Sequence, residues 1–364
     1  MKAYLCLQDG KIFEGESIGL AGEASGEVCF HTSITGYQEI MTDPSGAGQI
    51  IVFTYPLIGN YGVNLTDAQS AQVKAKGIVI RELAHYPSNY RSEQNLHSYL
   101  VNEGVVGIKD VDTRALTRYL HLHGTMMGLI STEADHDILS KKAQELKPLT
   151  GMQLVKSVTT QERKAFFGGQ YPVVVLDFGV KQAIIEALRA EDCQVTLVGA
   201  ETNAAEILAL HPWGVILSNG PGDPREAEAV LPVIREIMQQ GIPVLGISMG
   251  HLLLGMALGG TVSPLKQGHR GNYPVKDLRS NKIYITAQNH GYVLDSNSFS
   301  TDEVEITHIN LHDQTVEGLR HKSSGSFSVQ FNPEANPGPR ETSFYFAQFV
   351  EMMKESRKGR ELDA

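Results

Sequence analysis

From Pro172 to Gly260 the chain alternates short apolar runs with amphipathic ones, and few folds accept that order. VVVLDFG reads as a buried strand, KQAIIEALRAED as a helix with Ile184, Ile185 and Leu188 on one face, and QVTLVGA as a second strand. NAAEILALH follows as a helix capped by Asn203, with Glu206 three residues on. WGVILSNG is a third strand, REAEAVLPVIREIMQQ a helix and PVLGIS a fourth strand. Strands separated by single helices predict a parallel sheet covered by helices on both faces, an α/β architecture. Ligands of such sheets bind beyond the carboxyl ends of the strands. SNGPGDP and GISMG both lie at such ends, so the two loops are expected to share one site.

GISMG matches G-x-S-x-G, the pattern of a strand-to-helix elbow that exposes a nucleophile at Ser248. The glycines let the strained turn clear its neighbours, and the N–H of Met249 is expected to face a developing oxyanion at the helix N-terminus. The pattern alone is weak, but the apolar strand before it and apolar helix after it are the context it needs. The uncharged run from Ile242 to Val262 is read as that strand and a buried helix rather than a membrane span, because it contains Pro243, His251 and several glycines. In SNGPGDP, Gly220 and Gly222 flank Pro221, a tight loop whose N–H groups can meet a substrate carbonyl.

The N-terminal half has a different grammar. AYLCL and KIFEG flank a QDG turn, and GEVCFHTS and QIIVFTYP add further strands. A helix is expected to start at Asp112 or Thr113, and another to span about 133 to 148 before Pro148. After Gly260 short strands dominate until the helix ETSFYFAQFVEMMKES. The expected organisation is a strand-rich α+β domain over 1–154, a polar linker over 155–170, a domain over 171–358 with a mostly parallel sheet flanked by helices, and a solvated tail over 359–364.

With a net charge of −10 and no long basic run, a nucleic-acid partner is disfavoured. Cys6, Cys29 and Cys193 match neither a disulfide framework nor metal-ligand spacing, so no metal is expected and a reduced cytoplasm fits. The apolar stretch in MKAYLCLQDG is too short for a signal peptide.

GISMGH after SNGPGDP, then QNHGY and NPEANPGP, closely resembles the class I glutamine amidotransferase domain. TGYQEIMTDPS, TYPLIGNYG and VDTRALTR are similar to one family in particular, the small subunit of carbamoyl phosphate synthetase, and the likeness runs from Met1 to about Met353. The resemblance implies a subunit that hydrolyses L-glutamine and passes ammonia to a large subunit, where ATP and Mg2+ are used; no cofactor is implied in this chain. It leaves open whether the product feeds arginine or pyrimidine synthesis.

The family's triad is a Cys nucleophile, a His base and an orienting Glu. The resemblance places them at Ser248, Asn332 and Glu334, where only the glutamate matches. A serine hydroxyl must surrender its proton as it attacks, and Asn332 has no titrating nitrogen to take it. Leu252 stands where the family holds the substrate with Gln. Ser45, Gly220, Gly222, Asn289, Gly291 and the ring of Tyr292 are implied to surround the glutamine. His251 and His290 belong to the family pattern beside the usual base, and structural roles are expected for both.

Three readings follow. The chain is a small subunit with absent or very weak glutaminase that still serves ammonia-dependent synthesis. It is, alternatively, an active glutaminase subunit, through an unexpected base or artificial changes to an active parent. From another class, it is an α/β-hydrolase using Ser248 with Asp295 and His308 or His312.

Overall fold

The computed structural model describes residues 1–133 and 135–362, with side chains to residue 359. The chain forms two compact units: Met1–Met152 with Lys266–Gly271, and Gln153–Leu265 with Asn272–Ala364.

The first unit carries strands β1 (Lys2–Leu7), β2 (Ile12–Gly19), β3 (Glu23–His31), β4 (Gln49–Phe53), β5 (Leu57–Ile58), β6 (Gly77–Val79), β7 (Glu82–Leu83), β8 (Val106–Lys109) and β9 (Met126–Ser131). Its helices are α1 (Tyr37–Thr42), α2 (Leu96–Asn102), α3 (Thr113–His123) and α4 (His136–Gln144). Seven strands close a barrel in the order β1-β2-β8-β6-β4-β3-β9. The continuous apolar run QIIVF has a simple cause: Ile50 and Val52 enter one core, Ile51 and Phe53 another. Asp112 caps α3 by accepting the Ala115 N–H. α4 is shorter than the expected 133 to 148, because the Asp135 carboxylate accepts the Asp137 and Ile138 N–H groups and fixes the start at His136. TGYQ and GNYG prove to be partners: Tyr61 Oη accepts the N–H groups of Gly36 and Tyr37 at 2.6 and 3.1 Å, and the two rings stack.

The second unit begins where a linker is expected. Residues 155–170 instead carry most of α5 (Leu154–Val158) and all of β10 (Lys164–Phe166), because Leu154 and Val155 are buried and β10 pairs with β12 (Cys193–Gly199). Between them in sequence run β11 (Tyr171–Asp177) and α6 (Gln182–Ala190); α7 (Ala204–Leu208), β13 (Gly214–Leu217), α8 (Leu231–Gln239), β14 (Val244–Ile247) and α9 (Met249–Ala257) follow. Then come β15 (Val262–Asp277), β16 (Ile283–Leu294), β17 (Val304–Asn310), β18 (Val316–His321), β19 (Phe327–Val329) and α10 (Phe344–Leu362).

The sheet runs β10-β12-β11-β13-β14-β19-β18-β17-β15-β16. β12, β11, β13, β14 and β19 form its parallel centre, with antiparallel flanks. β11 shows why its sequence is apolar throughout: Val173 and Val175 face α6 and α10, while Val174 and Leu176 face α7, α8 and α9. The capping box at Asn203 and Glu206 is present.

One further expectation needs correction. REAEAVLPVIREIMQQ is not one helix: a 3-10 segment, Pro224–Val230, precedes α8, since Pro232 in the first turn of α8 has no N–H to give the preceding turn. Within the expected solvated tail, Gly359 is exposed and α10 continues through Leu362; 363–364 lie outside the described residues. All of α9 is buried, and among the described residues no helix is long and apolar enough to cross a membrane.

Candidate functional site

β14 delivers Ser248 to a strained turn. Its φ is 54° and ψ −104°, a conformation an L-residue adopts only under constraint. The Ser248 N–H donates to Val329 O at 2.9 Å, which fastens the elbow to the carboxyl end of β19. The flanking glycines are steric necessities. A Cβ at Gly246 would lie 2.4 Å from Gly250 O, and one at Gly250 would lie 2.1 Å from Leu217 O. The elbow is therefore pressed between its own helix and β13, and the sequence reading of GISMG as a strand-to-helix turn is met.

Ser248 caps α9 without a side-chain bond to the helix. The N–H groups of Gly250, His251 and Leu252 find carbonyls at Ser218 and Ser248, whereas the Met249 N–H finds no acceptor among the described residues. An unpaired N–H at a helix N-terminus is the donor an oxyanion needs.

Parallel pairing brings the neighbouring loops alongside. Gly246 pairs with Leu217 on one side and Ser328 on the other. The loop holding Gly220 and Gly222 leaves β13, and the segment holding Asn332 and Glu334 leaves β19. Asn332 also bridges back to Ala287 of β16, with Asn332 N–H to Ala287 O at 2.8 Å.

Asn332 and Glu334 touch. Asn332 Nδ2 donates to Glu334 Oε1 at 2.7 Å, and both residues are buried. The same oxygen lies 3.0 Å from Lys181 Nζ, which also donates to Ala335 O. Sequence reasoning missed Lys181. Its backbone N–H donates to Asn219 Oδ1 at 3.1 Å, so this one residue ties the β13 loop to the β19 loop. One signal was available: Lys181 is the N-cap of α6, where the positive end of a helix disfavours a cation unless a carboxylate compensates it.

Tyr292 and Leu252 belong to one apolar cluster with Leu294 and Leu319. Tyr292 Oη donates to Asp223 Oδ2 at 3.2 Å, joining β16 to the end of SNGPGDP. Burial opposes ionisation of Asp223, but Arg225 at its side holds the carboxyl below the usual range. Asn289 and Gly291 lie on β16, half-buried. Ser45 lies in the first unit, buried in the 3-10 turn Pro44–Gly46 with its N–H on Asp43 Oδ1.

His251 and His290, the histidines of the flanking motifs, are both engaged within the protein. His251 is fully buried with Nδ1 2.9 Å from Ser328 Oγ, and burial pushes its pKa down to about 3. His290 is held between Gln288 Oε1 and Tyr292 O. The hydrolase relay is not assembled: Asp295 accepts the Asn297 N–H, and both ring nitrogens of His308 are engaged by Thr307 and Tyr345.

A strand-to-helix elbow in a parallel sheet, with a glycine-rich loop on one side and a buried glutamate on the other, fits the class I glutamine amidotransferase fold. Residues 174–352 match the family model Glutamine amidotransferase class-I, and residues 5–130 match Carbamoyl-phosphate synthase small chain, CPSase domain. The carbamoyl phosphate synthase small chain of Chlorobaculum tepidum is 46% identical, over 97% of this chain and 98% of its own length. The small chain of Staphylococcus haemolyticus is also 46% identical, over 98% and 97%, and that of Listeria innocua 45%, over 98% of each. The chain belongs to the carbamoyl phosphate synthase small chain family.

Proposed function

We propose that this chain is the small chain of a cytoplasmic carbamoyl phosphate synthase in which glutamine hydrolysis is absent or very weak. It docks a large chain, which carries the ATP and Mg2+ chemistry and takes free ammonia as nitrogen donor. The observation that carries the reading is the Asn332–Glu334–Lys181 cluster. Glu334 is poised to orient an imidazole, and what it holds instead is an amide and an ammonium.

A hydroxyl at 248 needs a base, and the groups beside the elbow do not supply one. The elbow, the Met249 N–H and the loop of Gly220 and Gly222 support retention of the amidotransferase scaffold. Losing nucleophile and base together costs on the order of a million-fold in turnover where such units are broken elsewhere. Leu252, packed in an apolar cluster, offers no hydrogen bond to a substrate.

The test is ammonia release from L-glutamine by the full chain, beside a Ser248→Cys/Leu252→Gln/Asn332→His variant. The proposal expects release at background from the former and clear turnover from the latter. Robust turnover by the unmodified chain overturns it.

A further inference from the structure

The loops that follow β5 and β7 turn their largest apolar side chains to solvent. Leu65, Tyr86 and Tyr90 are 84, 89 and 96% exposed, and neither phenolic hydroxyl has a hydrogen-bond partner among the described residues. One such residue is ordinary on a protein surface. Three on two loops that are fastened to each other make a patch.

The fastening is specific. Val63 N–H donates to Gln94 O at 3.0 Å, and Glu93 N–H donates to Val63 O at 2.9 Å. Arg91, the neighbour of Tyr90, donates through Nη2 to Thr66 Oγ1 at 2.6 Å and pairs with Asp67, so the loop of Tyr90 is held at the residue beside Leu65. A Cβ on Gly62 would lie 2.0 Å from Ser92 Oγ, which shows how closely the two loops run. Each loop is also fixed within itself. Asn89 Oδ1 accepts the Arg91 N–H and Asn89 O the Ser92 N–H, which sets the turn that carries Tyr90. Asn64 Oδ1 accepts the Thr66 and Asp67 N–H groups, and Gln38 Oε1 accepts the Asn64 N–H, which sets the turn that carries Leu65. Aromatic rings on a backbone held this way lose little freedom when a partner covers them.

The patch lies within residues 5–130, the part that matches the CPSase domain of a small chain, and outside the 174–352 match that carries the elbow. A buried tyrosine covers about 150–250 Å². Two of them with Leu65 therefore supply roughly half of the ~800 Å² that each partner buries in a stable complex. Tyrosines of this kind are the residues on which binding energy concentrates. The facing surface must offer apolar pockets with hydrogen-bond acceptors at their rims for the two hydroxyls.

We propose that Leu65, Tyr86 and Tyr90 form a docking surface for the large chain of the synthase. The inference rests on the reading of this chain as a small chain that docks a large chain, and adds which residues of the first unit make the contact.

The experiment is calorimetric titration of the full chain into the large chain, with Tm measured beside it. Tyr86→Ala/Tyr90→Ala is expected to raise Kd at least about a hundredfold, because each truncated anchor costs a factor of ten or more. Its Tm should equal that of the unmodified chain, since both rings are already solvated in the free protein. Leu122→Ala removes an exposed leucine from α3 of the same unit and should leave Kd unchanged.

An unchanged Kd in the double variant overturns the proposal. So does equal weakening by Leu122→Ala, which would make the effect general to the surface, and so does a lowered Tm in the double variant, which would make the rings part of the fold. Self-association of the unmodified chain that the double variant abolishes, with Kd for the large chain unaltered, assigns the patch to a second copy and also overturns it. Failure of the underlying reading is separate, and shows as no binding of the large chain by the unmodified chain, in which case both fall.

Discussion

At Ser248 the backbone is that of a nucleophile elbow, and the proposed loss of hydrolysis lies in the side chains. The strained φ, the two close-packed glycines and the free Met249 N–H are features a thiolate mechanism uses, and all are in place. Activity should therefore return only when several side chains are replaced together. Ser248→Cys alone restores a nucleophile without a base and is expected to stay near background, whereas the triple variant recovers at least a thousand-fold of the roughly million-fold loss. Leu252→Gln has its own cost of about 1–3 kcal/mol, because it places an amide in an apolar cluster until substrate satisfies it. Lys181 gives a second residue-scale prediction. Lys181→Met strands a buried carboxylate and should destabilise the second unit by about 3–5 kcal/mol, while Lys181→Met/Glu334→Leu regains most of that loss. The single tryptophan, Trp213, lies in the second unit and reports its urea unfolding directly.

Among the elements, α9 is the most constrained. It is buried on every side and its first turn presses on β13. Gly250→Ala forces a methyl against Leu217 O and should cost about 2 kcal/mol or more, seen as a lowered Tm and a disturbed elbow. The elbow was legible in the sequence because its demands are local: glycines two residues either side of the turn, an apolar strand before it and an apolar helix after it. The barrel of the first unit was legible only as strand-rich, since its closure depends on pairs such as β1 with β9 and β2 with β8 that are remote in sequence. α5 and β10 were hidden for a related reason. Each is only a few residues long, too short to show a period, and what orders them is burial of Leu154 and Val155 in α5 and pairing of β10 with β12. Lys181 escaped because its counter-charge comes from the opposite end of the domain's sequence.

At the scale of the whole molecule, burial keeps His251 and His308 neutral, and their cost appears in acid. Burial pushes His251 down to about 3 and His308 down to about 4, both below the ordinary value of 6.5. Their contribution is complete above pH 6.5 and is lost as pH falls through it, because the unfolded chain binds the protons first. Stability should therefore drop between pH 6.5 and 4 with a slope approaching two protons, and His251→Gln should remove about one of them. The family was legible over the whole length because its motifs are short and ordered, and the same motifs made the departures visible. The proposed function turns on those departures. The most direct measurement is carbamoyl phosphate synthesis by this chain reconstituted with its large chain, supplied in parallel with ammonia and with L-glutamine. Synthesis from ammonia, with glutamine giving background, is the result predicted here; equal or faster synthesis from glutamine would contradict it.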